Sequence, residues 1–220
     1  MLAAYNNLAG RQRWHQRWYT LVNGCATGAV LSAAAARGLT ASEIGLARDR
    51  LAPGLRLGSA WAGGAAAGWL VITTLPAARP VLGDQRVSGL AGRELAYQVL
   101  VRIPAGTVLW EEVAFRGVLQ AALCRVMRAD AAIAVTSGVF GVWHLRPTAA
   151  ALRANGLAAS RGHAVAAVTG GAAATAAGGT LFSWLRLRSG SLAAPVLLHL
   201  ALNCTGPLAA RAFAPRKTSR

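Results

Sequence analysis

The chain has 220 residues, of which 55% are hydrophobic and only 14% are charged. A soluble globular domain carries about 25% charged residues, so this composition excludes an ordinary soluble domain and favours a chain embedded in lipid. The formal net charge is +16. The arginines lie in short clusters between apolar segments, as in loops that flank membrane helices, which argues against a nucleic-acid-binding surface.

The apolar segments are too long and too continuous for barrel strands. Because only helices and closed barrels satisfy the backbone in lipid, the sequence predicts an all-α fold. We expect a polytopic transmembrane helix bundle of about seven helices. In chain order these are residues 21–36, 58–75, 95–109, 111–127, 131–145, 163–185 and 191–212.

Polar connections separate these helices. Residues 37–57, 76–92 and 146–162 are predicted loops, because Pro, Gly and charged residues interrupt the apolar pattern there. In the first loop, Thr40 and Glu43 have the spacing of a helix start. The first apolar segment lacks the features of a cleavable signal peptide, so we expect it to direct membrane insertion itself.

The character of the chain changes near Arg93, because every dense polar site follows it. We therefore expect three parts: residues 1–92, a basic segment with two membrane helices; residues 93–212, the functional core; and residues 213–220, a basic tail. The three cysteines are scattered without a CxxC pair, which predicts packing residues and neither a zinc knuckle nor a disulfide framework.

Two adjacent acids stand in the middle of an apolar context, at Glu111 and Glu112. An ionisable side chain within a membrane helix is costly and indicates a functional site. Glu112 and Arg116 are four residues apart and would pair on one helix face. Glu111, rotated by about 100° around the helix, would then be free to face a cavity.

Two further segments carry candidate functional groups. His144 ends an apolar helix, and His199 and Asn203 are four residues apart on one face of another. A carboxylate and an imidazole can hold and deprotonate a water molecule, and imidazole and amide donors can stabilise an oxyanion. A Glu/His/His set could equally bind a divalent metal. His15 and His163 are predicted to be solvated.

Together, EEVAFR (residues 111–116), FGVWH (140–144) and HLALN (199–203) resemble the EExxxR, FxxxH and HxxxN motifs of the CPBP intramembrane proteases. This family includes the type 2 CAAX prenyl endopeptidases and bacteriocin-processing, Abi-like proteins. The resemblance covers about residues 95–207. RSGSL, at residues 188–192, is also similar to the family.

The resemblance implies that one glutamate and one histidine activate water while the third motif stabilises the oxyanion. The corresponding residues are Glu111 and His144 for the water, and His199 and Asn203 for the oxyanion. It assigns a structural or substrate-orienting role to Glu112, Arg116 and Phe140. The cofactor is either none or a divalent metal such as zinc, which would be held by Glu111, His144 and His199. The lack of an HExxH motif mildly favours a metal-independent mechanism.

These observations predict an intramembrane endopeptidase that hydrolyses a peptide bond of a membrane-associated protein or peptide. The alternative is a non-catalytic scaffold or immunity-type peptide-binding protein of the same fold. A small transporter would predict symmetry between the two halves of the chain, which the sequence lacks. The expected partners are membrane lipids and the substrate, with no nucleic acid, and the expected location is the bacterial plasma membrane.

Overall fold

The computed structural model describes residues 5–7, 12–75, 84–157 and 159–212. Within these ranges every regular element is helical, which confirms the predicted all-α class. The predicted basic tail, residues 213–220, lies outside the described residues, as do residues 76–83 of the predicted loop at 76–92.

The helices follow one another with short connections. They are α1 (Arg13–Arg17), α2 (Tyr19–Ala36), α3 (Leu51–Thr74), α4 (Gln85–Ser88), α5 (residues 92–124), α6 (Ala129–Trp143), α7 (Leu145–Ala154), α8 (Arg161–Ser189) and α9 (Ala193–Ala212). A single 3₁₀ turn, Arg48–Arg50, leads into α3.

Helix α5 corrects the prediction of two separate helices at 95–109 and 111–127. The two are one continuous helix that ends at Cys124. Its hydrogen bonding is of the wider π type in Gln98–Val108 and Val113–Leu119, on either side of an α-helical turn, Leu109–Glu112. Pro104 lies within the first π segment. Proline lacks the N–H of a regular helical bond, and a π segment lets the helix continue through such a site.

All three predicted loops are partly helical, and α4 is a single short turn of helix within 76–92. The other two contain longer helical segments. Helix α3 begins at Leu51, within the predicted connection 37–57, and α7 occupies much of the predicted loop 146–162. Both errors have the same cause. Pro53 and Pro147 indicate a break in the sequence pattern, but each is the third residue of its helix, where the missing N–H has no intrahelical partner to lose.

The core lies where α5, α6, α8 and α9 meet. Helix α3 packs against α9, α6 packs against α8, and α2 packs against α5. The buried core side chains are large and mostly aromatic: Trp110, Ala114, Phe115, Phe140, Trp143, Phe182, Leu185, Ala194 and Leu198. The first two motif segments and the last helix therefore share one core.

Glycines permit the closest helix contacts. A Cβ atom on Gly58 of α3 would lie 2.8 Å from the Cα atom of Ala194 on α9, and one on Gly141 of α6 would lie 2.7 Å from the carbonyl oxygen of Ala172 on α8. Small residues at such positions are typical of helix pairs in membranes. The Gly- and Ala-rich composition thus serves backbone-to-backbone packing.

Helix α8 has the properties of a membrane span. Its 29 residues extend about 43 Å, against a hydrocarbon core of about 30 Å. Only 11% of its most apolar stretch is buried, unlike the core helix of a soluble protein. Among the described residues it is the one helix that is both long enough and apolar enough to cross a membrane. The number of spans therefore stays a prediction.

A polar turn joins the ends of α2 and α5. Glu43 accepts hydrogen bonds from the backbone N–H and hydroxyl of Thr40, and the Thr40 hydroxyl accepts from the N–H of Glu43. The predicted capping pair is thus present, although residues 41–45 form a turn and no helix. Arg125, just past α5, donates to the Glu43 carboxylate at 2.7 and 2.8 Å and to the carbonyls of Arg37 and Gly38.

We expect Glu43→Gln to lower the melting temperature in detergent at pH 7, whereas Asp49→Asn, which removes an exposed charge nearby, has little effect. The Arg125 and Thr40 hydrogen bonds lower the pKa of Glu43 from 4.5 to about 2. The stabilisation is therefore complete above about pH 4.5 and is lost as the pH falls through about 2. Melting curves at several pH values check this. A wild-type advantage that stayed constant from pH 7 to pH 2 would contradict it.

Candidate active site

Three helices bring the sequence motifs together. Glu111 and Glu112 form the end of the short α-helical turn within α5. His144 is the C-cap residue of α6, and His199 lies inside α9. The two carboxylates and the two imidazoles meet there, with distances of 2.7 to 4.0 Å between the paired atoms.

Glu111 is buried and is held by one hydrogen bond. The indole Nε1–H of Trp143 donates to its Oε1 atom at 2.9 Å. Its Oε2 atom lies 4.0 Å from Nε2 of His144 and 3.8 Å from Nε2 of His199, too far for a direct hydrogen bond. Oε2 has no hydrogen-bond partner within the described part of the chain. The second carboxylate oxygen therefore faces both imidazoles across a gap.

The hydrogen bonds on the far side of each imidazole assign its neutral tautomer. Nδ1 of His144 lies 2.9 Å from the carbonyl oxygen of Phe140, which can only accept. Nδ1 of His199 lies 2.7 Å from Oε1 of Glu112. In each neutral ring Nδ1 therefore carries the proton and Nε2 presents a lone pair. Both Nε2 atoms and Glu111 Oε2 are acceptors, and each Nε2 lies within 4.0 Å of Oε2, a spacing that an O–H donor molecule can bridge.

Glu112 forms the predicted ion pair with Arg116, at 3.0 Å. The two side chains are 0% and 1% exposed. The guanidinium carbon lies 3.9 Å from the centre of the Phe140 ring and 5.0 Å from that of Phe182, so aromatic faces enclose the cation. Glu112 Oε1 accepts from both Arg116 and His199, which fixes the imidazole of α9 to α5.

Aromatic rings also fix the two imidazoles. Phe140 packs edge-on against His144, with ring centres 4.5 Å apart, and Phe182 stacks on His199 at 4.9 Å and an angle of 20°. The sequence analysis included Phe140 but missed Phe182 and Trp143. Trp143 directly precedes His144, so its place in the second motif was a usable signal. Phe182 lies outside all three motifs, and nothing in the sequence indicated it.

Asn203 is placed one turn beyond His199 and is half-buried. Its side chain makes no hydrogen bond to any residue that the structure describes. The structure therefore brings together Glu111, His144 and His199 directly and leaves Asn203 beside them. Its predicted role at the oxyanion stays a prediction.

The two remaining histidines differ from one another. His163 is exposed at the start of α8, as expected. The prediction for His15 was wrong, because the side chain is only 1% exposed. Nε2 of His15 lies 3.2 Å from the hydroxyl of Tyr5, and the ring packs edge-on against Tyr19. Burial lowers the pKa of His15. The rings of Tyr5, Trp14 and Tyr19 surround His15 and account for the error.

The N-terminal residues reach the second motif. Tyr5 stacks against Trp143 with ring centres 6.0 Å apart, and Asn6 donates to the Trp143 carbonyl at 2.9 Å. Asn7 donates to the carbonyl of Val142. These bonds satisfy carbonyl groups at the C-terminal end of α6, next to His144. The N-terminal segment therefore supports the position of Trp143 and of its bond to Glu111.

The site supplies ligand types that zinc accepts, namely a carboxylate and two imidazoles with anchored Nδ1 atoms. Bonds of about 2.0–2.1 Å in a tetrahedron would place the ligand atoms about 3.3 Å apart, and here they are 3.8 and 4.0 Å apart. Among the described residues no group of three or more His, Cys, Asp or Glu side chains is placed to hold a metal ion. The geometry therefore does not fit a bound divalent ion.

Comparison with known proteins gives one match. The model of the type II CAAX prenyl endopeptidase Rce1-like family matches residues 94–205, which is just over half of the chain and includes all three motifs. No curated protein and no solved structure matches the chain.

We expect Arg116→Met to lower the free energy of unfolding by about 3–5 kcal/mol, because it leaves Glu112 buried without its cation. Arg128→Met, which removes an exposed arginine paired with Asp130, should cost about 0–1 kcal/mol. Denaturant titration of the solubilised protein measures both.

Adding Glu112→Gln to Arg116→Met should recover part of the loss, because no unpaired charge then remains while the amide oxygen still accepts from His199. Equal, small effects of Arg116→Met and Arg128→Met would contradict a buried pair.

Proposed function

Because the chain belongs to the Rce1-like family of type II CAAX prenyl endopeptidases, a family of integral membrane proteases, we propose that it hydrolyses a peptide bond of a membrane-associated protein or peptide, in the plasma membrane of a bacterium. The observation that carries the proposal is the convergence of His144 and His199 on Glu111, whose Oε2 atom lies 4.0 and 3.8 Å from their Nε2 atoms.

The first step is activation of water. A water molecule between Glu111 Oε2 and the two Nε2 atoms can donate both of its protons to them. Its oxygen lone pairs are then free to attack a carbonyl carbon, and Glu111 takes the proton that is lost on attack. Trp143 keeps Glu111 in this orientation through the other carboxylate oxygen.

The second step is stabilisation of the oxyanion. In its neutral form His199 presents a lone pair at Nε2, so it can donate to an oxyanion only after Nε2 receives a proton. Glu111 Oε2 lies 3.8 Å away, too far for direct transfer, so the proton reaches Nε2 through a bridging oxygen. The protonated ring would keep its Nδ1 bond to Glu112. When the tetrahedral intermediate collapses and the C–N bond breaks, His199 gives the Nε2 proton to the leaving amine nitrogen, which restores the neutral ring. Asn203, one turn along α9, supplies an amide donor from the same face. No step requires a metal.

Glu111→Gln should lower the rate of peptide hydrolysis by about 10²–10⁴-fold, the contribution of a general base. Glu94→Gln is the matched control, because it makes the same change at an exposed acid whose role is a helix cap. The assay uses protein in lipid nanodiscs and a panel of fluorogenic membrane peptides, with and without a C-terminal prenyl-cysteine.

Each protein is also measured with a chelator. Wild-type cleavage that survives chelation but is lost in Glu111→Gln supports the mechanism. Cleavage lost on chelation would replace it with a metal mechanism. Cleavage that Glu111→Gln retains would overturn the assignment of the base. Binding of the peptides without cleavage would favour the scaffold alternative.

Trp143→Phe should reduce kcat by roughly 10–100-fold with little change in KM, because a hydrogen bond to a charged group contributes about 1.5–3 kcal/mol and this one orients the base. Trp184→Phe is the control, since Trp184 is exposed and packs edge-on against Trp61. Steady-state kinetics of both variants decide the point. A rise in KM at constant kcat would instead place Trp143 in substrate binding.

A further inference from the structure

Helix α5 carries a row of buried polar side chains that continues away from the active site. Glu112, Arg116 and Gln120 follow at intervals of four residues and are 0%, 1% and 1% exposed. In each of them at least one polar atom has no hydrogen-bond partner in the described ranges: Glu112 Oε2, Arg116 Nε and Nη2, and Gln120 Oε1.

Helices α6 and α8 add two hydroxyl groups to this row. Ser137 and Ser183 are buried, and their hydroxyls also find no partner among the residues described. Gln120 Nε2 donates weakly to the Ser183 carbonyl, at 3.4 Å. A Cβ atom on Gly179 would lie 3.1 Å from Arg116 Nη2 and 3.3 Å from the Cα atom of Ser137. The missing side chain of Gly179 thus lets α8 pack closely against both Arg116 and Ser137.

The row ends at a surface cleft of about 350 Å³ near the ends of α5 and α8. The cleft is lined by Arg116 and Gln120 of the row, by the buried Arg186, and by Glu43, Cys124 and Arg125. The inner end of the row is Glu112, which is bonded to His199. We call Glu112, Arg116, Gln120, Ser137 and Ser183 the polar column. From Glu112 to Gln120 it extends about 12 Å along the helix axis.

The free atoms of the polar column are both donors and acceptors. Arginine N–H groups donate, carboxylate and amide oxygens accept, and hydroxyls do both. An anion would satisfy only the donors, whereas water satisfies both kinds. Buried polar atoms are almost always paired, and buried water commonly provides the partner.

We propose that the polar column is a hydrated path that supplies water from the cleft to Glu111. The inference rests on the proposed function, since hydrolysis within lipid consumes one water molecule for each bond cleaved. The hydration itself is a property of the protein that can be measured without any substrate.

Cysteine reactivity tests the hydration. In a full-length chain with Cys25, Cys124 and Cys204 replaced by Ala, Ser183→Cys and Ser137→Cys place nearly isosteric thiols in the polar column. Leu185→Cys is the matched control, because Leu185 is two residues from Ser183 on α8, equally buried at 0% exposure, and in the apolar core. A chain that retains only Cys124, which is exposed, reports on the cleft. Melting curves establish that each variant is folded.

The probe is iodoacetamide, which reacts with the thiolate form alone. Burial away from water raises the pKa of a thiol, and each unit of increase lowers the thiolate fraction about tenfold. Mass spectrometry measures the alkylation rate of each variant in nanodiscs. We expect the rates of Ser183→Cys and Ser137→Cys to be at least about ten times that of Leu185→Cys and lower than that of Cys124. Column thiols as inert as Leu185→Cys would overturn the proposal. A reactive Ser183→Cys beside an inert Ser137→Cys would overturn a continuous path.

A second measurement connects the path to hydrolysis. Alkylation of Ser183→Cys should lower kcat severalfold without raising KM, because the adduct blocks water and not substrate. An unchanged kcat would overturn the supply role. If the chain cleaves no peptide, the alkylation rates still decide whether the column is hydrated, so the two proposals fail separately.

Discussion

The ion pair between Glu112 and Arg116 is the interaction on which the site depends, because its two side chains contact all four core helices. Both belong to α5. The guanidinium lies against Phe140 of α6 and Phe182 of α8, and the carboxylate accepts from His199 of α9. Burying two charges is expensive, and such a pair is weak evidence for stability by itself. Its value here is geometric, since it fixes the register of three helices against a fourth.

Much of the fold followed from the lengths of the apolar segments, which predicted the helices that became α2, α6, α8 and α9. The wrong helix boundaries came from residues whose effect on a helix depends on their position in it and on the helices packed around it. Pro53 and Pro147 break helices in the interior but are tolerated in a first turn. The π-helical segments of α5 have no recognisable composition, because the hydrogen-bond type depends on how neighbouring helices pack around Pro104 and the glutamates.

The site was predictable to the extent that it is local in sequence. The spacing of Glu112 and Arg116 predicted their pair, and the order of the three motifs predicted that Glu111, His144 and His199 belong together. The partners that orient them come from other helices or from the N-terminal segment. Phe182 beside His199 and Tyr5 beside His15 needed coordinates, since packing between segments, and not sequence spacing, brings each ring to its histidine.

The hydrogen bonds also explain why two adjacent glutamates can have different tasks. Protonation of Glu112 would weaken its bonds to Arg116 and His199 together and leave a buried cation unpaired. Glu111 accepts one bond from a neutral indole, and its other oxygen faces two imidazole lone pairs at 3.8 and 4.0 Å, which a bridging water can connect to it. The carboxylate without a cation is therefore the one able to exchange protons with water, which supports Glu111 as the base.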